Sequence, residues 1–469
     1  MKFEDYRKYD MTGLADLVAR REVSGAELLQ TALERTAAVN PQINAVTHDL
    51  ADFARQELAR GPKGRFAGVP FLLKDLGAQL AGTVTTGGSR AFADVRAEAD
   101  SAIVAAYRRA GLVIFGKTNT PEFGLAPVTE PTLFGASRNP WNLDHTPGGS
   151  SGGASAAVAA GIVPGAHASD GGGSIRVPAA SCGLFGLKPS RGRVSFAPLG
   201  EGWAGASMQH ALTRSVRDSA ALLDIVCQPQ AGDPYFLAPP ERPFAQEVGR
   251  DPGALRIAFS TASLASPELD PECAAAVQDA ARLCESLGHR VEEAAIPGDM
   301  SALSRAAGLV IAASVAATLD AEAERRGRAI SEDEVELTTW MSYRRGREVS
   351  APDYVRAVGV VHAFGRAVAE LFANYDILLL STTGRPPPPV GWLSEDLSQY
   401  AQRLFSFMNN TQAFNNTGQP AMSVPLAWSA SGLPLGLQFV APMGQEARLL
   451  RLAGQLEQAR PWFDRVAPL

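Results

Sequence analysis

Residues 147–193 read PGGSSGGASAAVAAGIVPGAHASDGGGSIRVPAASCGLFGLKPSRGR, and no other stretch restricts the fold so tightly. It holds two glycine–serine loops, GGSSGG at 148–153 and DGGGS at 170–174, each followed by a segment able to start a helix. The pattern predicts an alanine-rich helix over about 154–160 and a short strand over about 162–168 between them. A helix and a strand return the chain to the same end of a sheet. Ser150 and Ser174, 24 positions apart, can therefore face one site, although spacing alone does not prove contact.

The flanking sequence alternates helix and strand signals. Ser24 and Glu27 form a capping box ahead of Leu28, Leu29, Ala32 and Leu33. VPFLL after Gly68 reads as a short buried strand with Lys74 at its carboxyl end, and Asp100 is expected to cap a helix that ends at Gly111, before the buried strand LVIFG. LRIAFS, a helix opened by Asp270 and Pro271 and closed by Gly288, and HRVEEA follow the same grammar. A helical stretch over 352–374, the strands DILLLS and AMSVPL, and a terminal helix over 445–460 complete it. Such alternation implies an α/β layered fold around a substantial sheet. The 469 residues would allow about three domains by length. No compositional break marks a linker, so one domain over 1–469 is expected.

Composition removes several function classes. The 43 basic and 49 acidic residues leave a net charge of −6 without long runs of one sign, unlike a nucleic-acid binder with its concentrated basic face. With 46% hydrophobic and 20% charged residues the chain can bury a large core. The amino terminus MKFEDYRKYD lacks a signal-peptide stretch, and the most apolar run, 306–319, is too short to span a bilayer, so no membrane role is expected. Four cysteines, at 182, 227, 273 and 284, form no C-x-x-C pair, and the six histidines lack metal-ligand spacing. The expectation is a reduced, cytoplasmic protein with no metal and no cofactor.

Three chemistries compete for the glycine–serine loops. Phosphate binding is a weak match, because neither loop ends in GK[ST]. GGSSG fits the G-x-S-x-G elbow with Ser150 central, but that arrangement needs a late histidine, and the last one is His362. The third reading is a nucleophilic serine whose base is a lysine kept neutral by burial and cationic neighbours. Only six lysines occur, none after Lys188, so arginine does the generic basic work. Lys74, Lys117 and Lys188 survive in apolar or glycine-rich surroundings, where a group able to lose its proton has a use that arginine cannot fill. Lys74 suits the role of base, with one loop serine bridging it to the other. Glycines 171–173 could line an anion nest with backbone NH groups, or could simply permit tight turns.

GGSSGG followed by SDGGGSIRVPA and GLKPSRGRVS, with FLLKD, GKTNTPEFG, NPW and GLPLGLQFV, closely resembles the amidase signature family over most of the chain. The resemblance implies an α/β amidase signature fold: a central mixed β-sheet covered by helices on both faces, with a signature core over about 65–225 and a substrate-pocket part over about 226–469. It implies an amide-bond hydrolase with Ser174 as acylated nucleophile, Ser150 as bridging serine after a non-proline cis peptide, and Lys74 as ultimate base. Backbone NH groups of Gly171, Gly172, Gly173 and Ser174 would form the oxyanion hole, and Ser151, Asp170 and Arg176 would fix the loops. Lys117 and Lys188 read as structural. Many members carry Thr where this chain has Gly171, which predicts a looser loop or a wider site. GEGWAGASMQHALTRSVRDSAALLD, FNNTGQPAMSVPL and LEQARPWFDRVAP resemble the branch of bacterial amidases of the 6-aminohexanoate cyclic-dimer type. A glutaminase subunit of a tRNA-dependent amidotransferase is the competing reading, disfavoured by GWAGAS where that branch carries Ser-Leu-Asp-Gln. A scaffold without chemistry is disfavoured by the intact Lys74, Ser150 and Ser174. The implied partner is a small-molecule amide; a homodimer is compatible with the resemblance. Expected pocket walls are 118–130, 200–206, 306–345 and 385–416, with Trp340, Trp392, Phe405 and Phe414 as candidate apolar contacts.

Overall fold

The computed structural model describes residues 1–265 and 268–469. Eight strands form one mixed sheet: β4 (Gly165–Asp170), β5 (Phe185–Lys188), β6 (Met208–Thr213), β7 (Arg256–Phe259), β8 (Arg290–Glu293), β9 (Ile377–Ser381), β10 (Ala421–Trp428) and β11 (Pro434–Val440), in the order β4-β6-β5-β10-β11-β9-β7-β8. Pairing is antiparallel from β4 to β9 and parallel from β9 through β7 to β8. Strands β1 (Val46–Asp49), β2 (Pro70–Lys74) and β3 (Val113–Thr118) make a separate small sheet, ordered β1-β3-β2. Lys74 therefore ends a strand outside the central sheet.

The period-two alternation of strands divides the core. Along β9, Ile377 and Leu379 enter one core with Phe185, Leu437 and Phe439, while Leu378 and Leu380 enter another with Val361, Phe364 and Phe414. Both faces of the sheet are thus covered by helices, as the resemblance implies. The second core includes the helices Met300–Arg326 and Ala351–Asn374. The first of these is 27 residues long, with a mean hydropathy of 1.6 in its most apolar window, and by length and composition alone could cross a membrane. It extends well beyond the apolar run 306–319, and its Leu303, Ala306 and Val310 pack against Ala357 and Val361.

Most local expectations hold to within a few residues. The capping box at Ser24 and Glu27 is present, and Asp270 caps Pro271–Ser286 through the Glu272 N–H. Asp100 departs from expectation. Ser101 is the capping residue of Ala102–Arg109, while the Asp100 carboxylate accepts from Ala81 N–H at 2.8 Å and pairs with Arg108. The strand expected over 162–168 begins later, at Gly165, because the Gly161–Pro164 segment is a turn.

The helix Gly152–Ala159 connects the small sheet to the site. Gly153 N–H donates to Asn119 O just beyond β3, and a Cβ on Gly153 would lie 2.4 Å from Asn119 N and 2.6 Å from Ala45 O. Only glycine permits this docking of the helix start onto the ends of β1 and β3. Gly153→Ala should lower stability by about 1–3 kcal/mol, the usual cost of overpacking. Gly359, exposed in Ala351–Asn374 with nothing within 4 Å of an added Cβ, should behave oppositely. Gly359→Ala should raise stability by up to about 1 kcal/mol through helix propensity alone. Urea denaturation of both variants checks the pair.

Candidate active site

Lys74 reaches the central sheet from the end of β2. Its backbone N–H donates to His167 Nδ1 on β4 at 3.2 Å, and its amine lies 2.7 Å from Ser150 Oγ and 3.0 Å from Ser169 Oγ. The side chain is fully buried. Burial pulls its pKa from 10.5 down to about 7, against the opposing field of Asp170. The charged neighbour is thus an anion, where cationic neighbours were expected, and desolvation does the lowering. A neutral amine there can donate to one hydroxyl while accepting the proton of another.

The two glycine–serine loops meet. Ser151 N–H donates to Ser174 O at 3.3 Å, and Ser151 Oγ donates to Ser169 O at 3.2 Å. The Gly149–Ser150 peptide is cis, as the resemblance implies. Ser150, Ser169 and Ser174 all line one cavity of about 160 Å³, whose other walls are largely apolar, with Leu76, Phe123, Phe196, Leu199 and Trp203, beside the polar Asp170, Glu201, Ser207 and Gln209.

Asp170 and Arg176 hold the second loop from behind. Both are fully buried, and the Arg176 guanidinium uses all five N–H donors. Nε donates to Asp170 Oδ2 and Nη2 to Asp170 Oδ1, both at 2.9 Å. Nη2 also reaches Asn415 Oδ1, and Nη1 reaches Thr411 O and Gln438 Oε1. Burial by itself pushes the Asp170 carboxyl up, but the guanidinium beside it more than reverses this and holds it well below the usual carboxylate range. Asp170 also accepts from the N–H groups of Gly173, at 2.7 Å, and Ile175, at 3.1 Å. This corrects the expected anion nest. The Gly173 N–H is committed to Asp170, whereas Gly171, Gly172 and Ser174 N–H have no acceptor among the described residues.

The site is not widened at Gly171. A Cβ there would lie 2.6 Å from Trp203 Cζ3, so the indole occupies the space that a larger residue would need. Of the expected walls, Phe123 and Gly124 come from 118–130 and Glu201, Gly202 and Trp203 from 200–206. The four candidate aromatics lie elsewhere. Trp340 packs by Tyr343 over Val315 and Leu319, Trp392 lies beneath the guanidiniums of Arg385 and Arg403, and Phe414 is core. Phe405 is half-buried on Tyr400–Phe407, away from the cavity lining. Sequence reasoning missed Ser169 and Gln209. Their signal was available: a serine beside Asp170 and two residues after His167 in β4, and Gln209 at the start of β6. Lys117 donates to Val84 O and Thr85 Oγ1, and Lys188 to Pro189 O, both away from the cavity.

Fold, cavity and relatives together define an enzyme that hydrolyses carbon–nitrogen bonds other than peptide bonds. The profile of the amidase family matches residues 27–450, and the chain belongs to that family. It is 41% identical to the 6-aminohexanoate-cyclic-dimer hydrolase of Paenarthrobacter ureafaciens, over 97% of this chain and 96% of that one. The structure of a 6-aminohexanoate cyclic dimer hydrolase complexed with substrate superposes with a TM-score of 0.93 at 40% identity, covering 98% of each chain. A bacterial aryl acylamidase superposes at 0.88 with 26% identity, covering 98% of this chain and 99% of that one.

Asp170→Asn should cost about 3–5 kcal/mol of stability, because it strands a buried guanidinium without its counter-charge. Lys8→Ala, which breaks only the exposed pair with Asp5, should cause no measurable loss. Chemical denaturation of the two variants beside the parent protein tests the contrast.

Proposed function

We propose that this protein hydrolyses small or oligomeric aliphatic amides, linear or cyclic, through an acyl-enzyme on Ser174. The observation that carries this reading is the Lys74 amine, buried, with a pKa near neutrality and 2.7 Å from Ser150 Oγ, at a cavity that also exposes Ser174. Ser174 Oγ attacks the amide carbon as Ser150 takes its proton and passes its own to Lys74. The carbonyl electrons move to oxygen, and the N–H groups of Gly171, Gly172 and Ser174 stabilise that oxyanion. The proton returns through Ser150 to the departing nitrogen, the carbon–nitrogen bond breaks, and the amine leaves. Water then enters, loses a proton along the same path, and releases the acid. Ser169 holds the lysine amine from its other side.

The apolar walls favour methylene chains over charged side groups, and the likeness to a cyclic-dimer hydrolase points to uncharged aliphatic oligoamides. The chain is proposed to act as one unit. Strands from both 65–225 and 226–469 share the eight-stranded sheet, and Thr411, Asn415 and Gln438 complete the surroundings of Arg176.

Ser174→Ala should reduce amide hydrolysis by several powers of ten without unfolding the chain, and fluorophosphonate labelling of the parent protein should map to Ser174. Labelling at Ser150 with Ser174 untouched would reverse the assignment. Lys74→Ala should damage amide hydrolysis more than nitrophenyl-ester hydrolysis, by a further factor of about 10–1,000, since the ester leaves without a proton. Equal losses on both substrates would remove the proton shuttle. Because the base acts as a neutral amine, below about pH 7 it is protonated and idle, so kcat/KM should rise through about pH 7 and level off above it. A flat profile between pH 5 and 9, with chemistry limiting, would contradict the lysine base.

A further inference from the structure

Gln209 stands directly opposite Ser169 in the antiparallel β4/β6 register, and its side chain lines the cavity. Facing residues of such a pair project to the same side of the sheet, so Gln209, Ser169 and His167, two residues before Ser169, share the face that meets Lys74. Gln209 is 1% exposed. Its Oε1 lies 3.2 Å from His167 Nε2, and its Nε2 has no partner among the described residues.

The hydrogen-bond chain fixes which atom of the carboxamide faces the cavity. Lys74 N–H must donate, so His167 Nδ1 accepts. Burial, helped by the charge of Lys74, pushes the His167 pKa down to about 3, so the ring is neutral and carries its single proton on Nε2. That N–H donates to Gln209 Oε1, which leaves the Gln209 amide nitrogen with two N–H groups to offer inward. This donor sits at the cavity surface, where water can satisfy it until a substrate oxygen takes the water's place, and a ligand that displaces the water without offering an acceptor forfeits that hydrogen bond. Around it the walls are largely apolar, with Leu76, Phe123, Phe196 and Trp203 among them.

We propose that Gln209 is a substrate-binding residue that donates to a second carbonyl oxygen of the substrate, distinct from the one attacked, and that His167 orients it. Resting on the amide-hydrolase reading above, this assigns the preferred substrate class as diamides and longer oligoamides over monoamides of the same size. An ammonium group gains nothing at this position, since the donor can bind only an acceptor. The lysine strand and the substrate amide are thereby registered to one imidazole: Nδ1 holds the backbone of Lys74, and Nε2 holds Gln209.

The test compares two fourteen-membered rings: the cyclic dimer of 6-aminohexanoate, with two amides, and the lactam of equal ring size with one. The parent protein should show a kcat/KM for the diamide at least about tenfold above that for the monolactam, expressed mainly in KM. Gln209→Glu keeps an oxygen for the His167 N–H but turns an acceptor toward the cavity, and Gln209→Met removes the donor at similar volume. Both should lower the diamide-to-monolactam ratio by at least about tenfold, with the fluorophosphonate labelling rate of Ser174 in each variant reporting the nucleophile separately. Equal kcat/KM for the two rings in the parent protein would overturn the inference whether or not the variants fold. So would a ratio in folded Gln209→Glu within twofold of the parent's. Hydrolysis of both rings without preference leaves the amide-hydrolase reading standing and removes the role of Gln209 alone; labelling of Ser174 with hydrolysis of neither removes the substrate class and this inference together.

Discussion

Arg176 cannot be buried without every one of its partners, and that requirement organises the molecule. A guanidinium with no exposure to water is costly unless charge and all five donors are matched. Asp170 supplies the charge from six residues away, and Thr411, Asn415 and Gln438 supply the rest from 235 to 262 residues along the chain. Asn415 also donates to Asp170 O and Ala206 O, and Thr411 Oγ1 donates to Gly172 O. The glycine loop, which has almost no side chains of its own, thus takes its shape from a polar cluster behind it. Asp170 claims the N–H groups of Gly173 and Ile175 and leaves those of Gly171, Gly172 and Ser174 without an acceptor among the described residues.

Burial alone does not set Lys74 apart from the other buried lysines. Desolvation lowers the pKa of Lys117 to about 8 against the pull of Asp75, and it holds that of Lys188 well below its ordinary value, with help from Arg176. Both nitrogens donate to a carbonyl oxygen, Lys117 to the Thr85 hydroxyl as well, and neither reaches the cavity. Lys74 differs in what its amine touches: two hydroxyls, one of them at a cavity shared with Ser174. Geometry selects among three perturbed amines.

That contrast shows what could be read from the chain. That Lys74, Ser150 and Ser174 would meet at one place was legible because a loop of glycine and serine has few folding uses and because motifs fall in order around it. Strand and helix signals were legible where capping residues and apolar periods agreed, as at Ser24 and Asp270. The pocket was not. Trp340, Trp392 and Phe414 carry the same apolar signal as Phe123 and Trp203, and sequence cannot separate a wall from a core. Asn415 and Gln438 were invisible for another reason. Their partners lie on other strands or in another part of the chain, and a polar residue's role is set by the donor or acceptor it meets there. The placement of Lys74 on a separate small sheet depends likewise on tertiary docking, through Gly153 and His167.

The indole of Trp203 over Gly171 ties two distant positions into one evolutionary unit. A side chain cannot be added at 171 while the ring lies 2.6 Å from where its first carbon would go, and trimming the ring first would open a hole beside the glycine loop. Either single step should pass through a handicapped intermediate, so a larger residue at 171 calls for a smaller one at 203 in the same molecule. A mutant library that varies the two sites one at a time would score both as immutable, and only paired randomisation would find the alternative cavity.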